Sequence, residues 1–142
     1  MKIKEIQEEL IDEFAMFDDW VERYEYMIDL GKSLPLIESE YKTDDYLVNG
    51  CQSKVWVNAE LIDNNIVYKA DSDAIISKGI IAILIRVFSY HKPNEIIEAS
   101  TDFIDKIGLK DHLSPNRANG LSSMIKQLKL YALAYQTKIN DE

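Results

Sequence analysis

Cysteine is almost missing from this chain: Cys51 is the only one in 142 residues. A lone thiol cannot close an internal disulfide, and it cannot supply the several thiolates of a structural zinc or iron–sulfur site. Histidine is nearly as scarce. His91 and His112 stand far apart in sequence, so a metal site would need many carboxylates, and metal binding is set aside. With three prolines and five glycines there is no Pro-rich stretch, no Gly/Ser linker and no internal repeat, and residues 1–142 read as one domain. Long apolar runs are missing too. The longest is Gly79 to Ile85, reaching Phe88 if Arg86 is admitted, against the ~20 residues of a membrane-spanning helix. The opening MKIKEIQEEL carries charges where a signal peptide would carry its apolar stretch. The expectation is a soluble, cytoplasmic protein with no membrane partner.

Basic charge is what the first third lacks. Residues 1–50 hold 14 Asp and Glu against 5 Lys and Arg, whereas residues 51–142 hold 11 of each, so the whole net charge of −9 belongs to the N-terminal part. Such a balance repels phosphate backbones, and no cluster of Lys and Arg alternates with aromatics, which excludes nucleic acid as a partner. The acidic excess reads as a solvated face that aids solubility, or as steering toward a basic protein. Otherwise the composition, 46% hydrophobic and 29% charged, is that of an ordinary globular protein. At this length roughly two-thirds of the unfolded surface is buried on folding.

What is present is helical at both ends and extended in the middle. Ile3, Ile6, Leu10, Ile11 and Phe14 recur at helical spacing, with Glu5, Glu8, Glu9, Asp12 and Glu13 on the other face. A second helix starts near Asp18–Asp19, where either carboxylate caps and Glu22 stands at capping-box distance from Asp19. Its buried stripe is Trp20, Tyr24, Met27 and Ile28; Gly31 suits the position just past its end, and Pro35 prevents resumption. Val55, Val57, Ala59 and Leu61 then alternate with Trp56, Asn58 and Glu60, as in a strand with two unlike faces. Asp63-Asn64-Asn65 is turn chemistry, and Ile66 to Ala70 returns as the partner strand. Tyr46-Leu47-Val48 is a candidate third strand, joined to the next through a tight connection at residues 49–53.

Helix then resumes. Ala74 to about Ser89 is apolar nearly all round and reads as a buried central helix capped by Ser72 or Asp73, although the β-branched run Ile80 to Ile85 keeps a strand open locally. Pro93 opens a short helix through Ala99, and Asp102 caps another that ends at Gly108. The last helix has Ser114 as cap, Pro115 in its first turn and a core stripe of Leu121, Ile125, Leu128, Tyr131, Ala132 and Tyr135. The predicted class is α+β, a small antiparallel sheet of about three strands with helices packed on one face.

Two readings of Cys51 are open on the residues alone. Free cysteines are among the most buried residues and usually behave as inert small hydrophobes. Asn49-Gly50 before it, however, favours a tight turn, which puts the sulfur on a protruding connection where another protein's active site can meet it. Sulfur exchange needs a thiolate that attacks a sulfur already bonded to sulfur, and its product, a persulfide, is a reversible state of cysteine. That chemistry asks for no metal, cofactor or catalytic histidine in the acceptor. A Cys51–His pair for nucleophilic hydrolysis is the alternative, without a local signature to support it. Both histidines fall in predicted loops and read as surface residues. Arg117 lies in the first turn of the last helix, where the macrodipole disfavours a cation by about 0.3 kcal/mol or more. It is either an exposed side chain or a guanidinium aimed at a carboxylate or a thiolate-bearing partner. Asp71-Ser72-Asp73 reads as capping chemistry rather than a catalytic carboxylate pair.

Four stretches together carry a family resemblance: Trp20-Val-Glu-Arg-Tyr24 with Asp29-Leu-Gly31 and Leu34-Pro35; Val48-Asn-Gly-Cys51-Gln-Ser-Lys-Val-Trp56; Asp71-Ser-Asp-Ala-Ile-Ile-Ser-Lys-Gly79-Ile-Ile-Ala82; and Leu113-Ser-Pro-Asn-Arg117-Ala-Asn-Gly120-Leu121. In order and spacing the chain resembles the SufE family of sulfur acceptors over nearly its whole length, with Gly-Cys-Gln-Ser-x-Val-Trp the most specific block. Ile80-Ile81 departs conservatively from the Leu-Ile or Leu-Leu of relatives. The resemblance implies a small antiparallel sheet with helices around it, similar to the IscU-type cluster scaffolds. It implies a carrier that takes persulfide sulfur from a SufS-type cysteine desulfurase onto Cys51, stimulates that enzyme, and delivers sulfur to a cluster scaffold of the SufBCD type. It is then a relay partner rather than an enzyme, with no cofactor of its own, since the pyridoxal phosphate belongs to the desulfurase. Gly50, Gln52, Asp73 and Arg117 match family positions near the acceptor loop or the desulfurase-facing surface. Gln52-Ser53 after the cysteine looks more like SufE than like the sister CsdE-type acceptors. Cluster scaffolds hold their cargo with several cysteines, so scaffold activity does not carry over to a chain with one.

Overall fold

The computed structural model describes residues 1–141. It opens with two helices, α1 (Ile3–Ala15) and α2 (Trp20–Lys32). On α1 the buried side chains are Ile3, Gln7, Leu10 and Phe14, one per turn; the amide of Gln7 is satisfied by donating to the Ser100 carbonyl at 2.8 Å. Asp19 caps α2 as its sequence predicts, its carboxylate accepting the Glu22 N–H at 2.9 Å. Gly31 does not end the helix. It lies inside α2, buried against α3 (Ile75–Phe88). A Cβ on Gly31 would stand 3.1 Å from the Gly79 nitrogen, and one on Gly79 would stand 2.5 Å from the Met27 carbonyl oxygen. The glycine pair thus serves the close crossing of two helix backbones rather than a turn. Of the predicted α2 stripe Met27 is fully buried, while Trp20, Tyr24 and Ile28 are half-buried.

The sheet is an antiparallel ribbon of β1 (Val55–Ile62) and β2 (Asn65–Ser72), in register from Val55 opposite Ser72 to Ile62 opposite Asn65. Asp63 and Asn64 turn the hairpin with φ of 52° and 68°, the left-handed conformation that a two-residue hairpin loop requires and that Asp and Asn tolerate. The expected third strand shrinks to one bridge, Leu47 with Trp56, and a 2.8 Å bond from the Val48 N–H to the Val55 carbonyl. A 3₁₀ turn at Asp44–Tyr46 runs up to Leu47 and the Asn49–Gly50 turn follows at once, leaving only Leu47 and Val48 extended. Single bridges from Leu36 to Ala70 and from His91 to Ile66 cover the far edge of β2, which local patterning gave no sign of.

α3 settles the ambiguity of the Ile80–Ile85 run: it is helix, with ten residues buried. Each fully buried Ile or Leu there contributes about 2 kcal/mol through its apolar surface. Neither Ser72 nor Asp73 caps it. The Ser72 hydroxyl donates to the Lys54 carbonyl at 2.8 Å and the Asp73 carboxylate accepts the Lys54 N–H at 3.0 Å, so both tie down the start of β1; Ala74 holds the cap position without a side-chain bond. Short helices α4 (Pro93–Glu98) and α5 (Asp102–Ile107) follow, α5 ending at Gly108 with φ 82°. Then comes α6 (Pro115–Asn140), capped by Ser114 through the Arg117 N–H at 3.3 Å. The hydroxyls of Tyr131 and Tyr135 donate to the Val57 and Ala59 carbonyls at 3.0 and 2.8 Å, fastening α6 along the free edge of β1. One cluster of buried side chains joins all these elements. No helix among the described residues is long and apolar enough to cross a membrane.

Candidate functional site

The Asn49–Gly50 turn brings the loop that carries Cys51 against α6. Gly50 has φ 94°, a left-handed conformation that favours glycine, and a Cβ there would displace the rotatable Ser123 hydroxyl of α6. Cys51 follows, half-buried, with its Sγ 3.6 Å from the carbonyl oxygen of Gly120, to which the thiol donates a weak hydrogen bond. Burial pushes the thiol pKa up, because the thiolate loses more hydration than the neutral form. At neutral pH the sulfur therefore rests as a protonated, poorly nucleophilic thiol.

Beneath it lies a cavity of about 300 Å³. The loop supplies Cys51, Gln52 and Ser53; the start of α6 supplies Ser114, Asn116, Arg117 and Gly120; and Ser77 comes from the first turn of α3. The Gln52 carbonyl oxygen accepts from the Asn116 amide at 3.0 Å, bridging loop and helix. Arg117 is exposed, and among the described residues its guanidinium makes no salt bridge. Of the sequence-predicted residues, Cys51, Gln52 and Arg117 thus share one cavity and Gly50 shapes the turn that leads to it. Asp73 does not line it; exposed just past the end of β2, it pins Lys54 just after the Cys51 loop. Ser53, Asn116 and Ser77 escaped the sequence reading. Each lies in a block already quoted, Asn116 beside Arg117 and Ser77 in the first turn of α3, but nothing local marks their approach to Cys51.

The histidines are elsewhere. His91, expected at the surface, is buried, its two ring nitrogens facing the backbone carbonyls of Ser89 and Met1 at 2.8 and 2.9 Å. His112 stacks on Trp20 with ring centroids 3.9 Å apart. Neither lines the Cys51 cavity, so a cysteine–histidine hydrolase has no base. Among the described residues no group of three or more His, Cys, Asp or Glu side chains is placed to hold a metal ion.

Fold and site define an α+β protein with one half-buried thiol beside the start of a long helix. Its backbone is similar to that of a hypothetical protein from Thermus thermophilus solved in solution, with a TM-score of 0.77 over 93% of this chain and 96% of that one; at 16% identity this is a likeness of fold alone. A family model described as "SufE: Fe-S metabolism associated domain" matches residues 8–132. An uncharacterized SufE-like protein of Rhizobium meliloti is 40% identical over 86% of this chain and 91% of its own length. One from Synechocystis is 37% identical over 89% and 80%. The chloroplastic/mitochondrial SufE-like protein 1 of Arabidopsis thaliana is 36% identical over 92% of this chain, which spans only 36% of that longer protein. The chain belongs to the SufE family, and its role lies in iron–sulfur metabolism.

Proposed function

We propose that this protein is a sulfur carrier: it accepts persulfide sulfur from a SufS-type cysteine desulfurase onto Cys51, stimulates the desulfurase by clearing that sulfur, and delivers it to a SufBCD-type scaffold for cluster assembly. The observation that carries this reading is a single half-buried thiol on a turn, facing a polar cavity. The step balances without a metal or redox partner. The Cys51 thiol gives up its proton on docking, and the thiolate attacks the outer sulfur of the desulfurase persulfide. The enzyme's S–S bond breaks, its cysteine leaves as thiolate, and a new S–S bond stands on Cys51. The only cofactor involved is the pyridoxal phosphate of the donor enzyme. Arg117 is suited to meet the incoming anionic sulfur or a carboxylate of the partner, since a free guanidinium at the cavity wall can neutralise either. Asp73 acts indirectly, by holding Lys54 and with it the C-terminal side of the loop.

Desulfurase turnover on cysteine tests this. Added wild type raises turnover, Cys51→Ser gives no stimulation, and Arg117→Ala stimulates several-fold less while its thermal midpoint stays near that of wild type. Full stimulation by Cys51→Ser would contradict the carrier role. A large loss of stability in Arg117→Ala would make that residue structural.

A further inference from the structure

The acidic excess of residues 1–50 has no part in the chemistry at Cys51. In that stretch, α1 and the corner between α4 and α5 enclose a cleft of about 540 Å³, and no residue lining it also lines the Cys51 cavity. Its floor is apolar, formed by Ile3, Ile11, Ala99 and Phe103. Gln7 is the exception, 8% exposed on the buried face of α1. Its Nε2 donates to the Ser100 carbonyl at 2.8 Å, which fixes the way the carboxamide points. Its Oε1 accepts from no donor among the described residues, yet it is not among the fully occluded unpaired atoms. The oxygen of a buried amide thus opens into the cleft unpaired. Folded proteins rarely leave such an acceptor without a partner.

The rim adds charge of the matching kind. Glu8, Glu95, Glu98 and Asp102 stand there against three lysines, all exposed, and none of them forms a salt bridge among the described residues. Negative charge is left in excess, and no lysine of the rim donates to Gln7 Oε1. The occupant that satisfies floor and rim together is a hydrogen-bond donor, cationic at its tip and apolar along its stem. Arginine meets each requirement. Its aliphatic stem can lie on Ile3, Ile11 and Phe103, and its planar fork of N–H groups can serve the floor oxygen and a rim carboxylate at once. A lysine ammonium carries the charge without the fork. One side chain fills only part of the cleft, so the arginine arrives within a longer segment.

We infer that the cleft between α1 and the α4–α5 corner is a docking site for an arginine in an extended segment of a partner protein, with Gln7 Oε1 as the acceptor at its floor and Glu98 and Asp102 as its anionic rim. The acidic excess of residues 1–50 draws such a basic segment in from a distance. A segment held here touches none of the residues around the Cys51 cavity, so docking and thiol chemistry are separate events. The inference needs nothing from the carrier reading and stands on binding alone.

The full chain, isotope-labelled for amide NMR, is titrated with the blocked peptide acetyl-Ala-Leu-Arg-Ala-amide. The expected result is a saturable shift of the Gln7 side-chain amide and of the Ser100 and Phe103 backbone amides, with Cys51 and Gly120 unmoved. The same peptide with citrulline for arginine, which keeps the shape but not the charge, binds about tenfold more weakly, the scale of one charge-assisted hydrogen bond. Gln7→Met removes the acceptor and weakens the arginine peptide by a similar factor. Because that change also frees the Ser100 carbonyl, a second variant, Glu98→Gln/Asp102→Asn, alters exposed positions alone. It binds several-fold more weakly with an unchanged thermal midpoint, and the wild type's advantage over it shrinks as salt is raised. No saturable shift at the cleft, equal binding of the citrulline peptide, or full affinity in either variant overturns the docking site. Spermidine binding as tightly as the arginine peptide overturns it too, since the rim would then be a diffuse acidic patch without a fork-shaped preference.

Discussion

At the scale of the residue, Cys51 combines an accessible address with a guarded state. It follows a turn near the surface, while partial burial keeps it a neutral thiol. Because the folded protein binds this proton more tightly than the unfolded chain, the stability it supports is fully present below the unfolded thiol pKa. That stability is lost as pH rises through the folded value. Alkylation of the resting protein by iodoacetamide should accordingly rise with pH at a midpoint above that of a free cysteine, and docking of the partner should lower it. A midpoint below the free-cysteine value would mean that the thiol is pre-activated and the loop is not a guard. Local signals, a unique thiol after Asn-Gly and a cation in the first helical turn, single out Cys51 and Arg117 but leave two readings of each open, and the structure places both at one cavity. Ser77 carries no such signal, since its place there depends on the start of α3 lying beside the start of α6.

Among the elements, the crossing of α2 and α3 is the most exacting contact. Gly79→Ala places a methyl where the Met27 carbonyl and side chain already stand, so the helices must separate, at a cost of about 3 kcal/mol. Gly31→Ala meets atoms at 3.1 Å and beyond and should cost less. Denaturant titration of the two variants orders them, and equal midpoints would refute the close crossing. Glycine shortly before a proline such as Pro35 usually ends a helix, which is what the sequence predicts for Gly31; the close approach of a second helix is a tertiary fact. The same holds for the missing third strand. Tyr46-Leu47-Val48 has strand composition, but the turns on both sides leave room for a single bridge. By contrast the caps at Asp19 and Ser114, the hairpin at Asp63-Asn64 and the stop at Gly108 act within a few residues, and they lie where the sequence indicated them.

For the whole molecule, the acidic excess of residues 1–50 is only partly free. Glu9 and Glu13 of α1 are bound by Arg86 of α3, and Glu38 by Lys69; Asp71, beyond that stretch, draws in Lys42 and Lys78 at 2.5 and 3.4 Å. Burial would raise the Asp71 pKa, but the Lys42 and Ser72 hydrogen bonds and the Lys78 charge outweigh it, and the net shift is downward. The stability Asp71 supplies is therefore present above the unfolded carboxyl pKa and lost as pH falls through the lowered folded value. Asp71→Asn should lose about 2 kcal/mol at pH 7, with its urea midpoint approaching that of wild type under strong acid. A constant gap across that range would show that the ion pairs are not responsible. These three groups knit the segment before the acceptor loop, the end of β2 and the start of α3, so the frame around Cys51 depends on them.

The central claim is that sulfur rides on Cys51, and intact mass spectrometry tests it most directly. After incubation with a SufS-type desulfurase and cysteine, the wild type should gain the mass of one sulfur atom and lose it again to a reductant, while Cys51→Ser gains nothing. The same adduct on Cys51→Ser, or none on the wild type, would contradict the account.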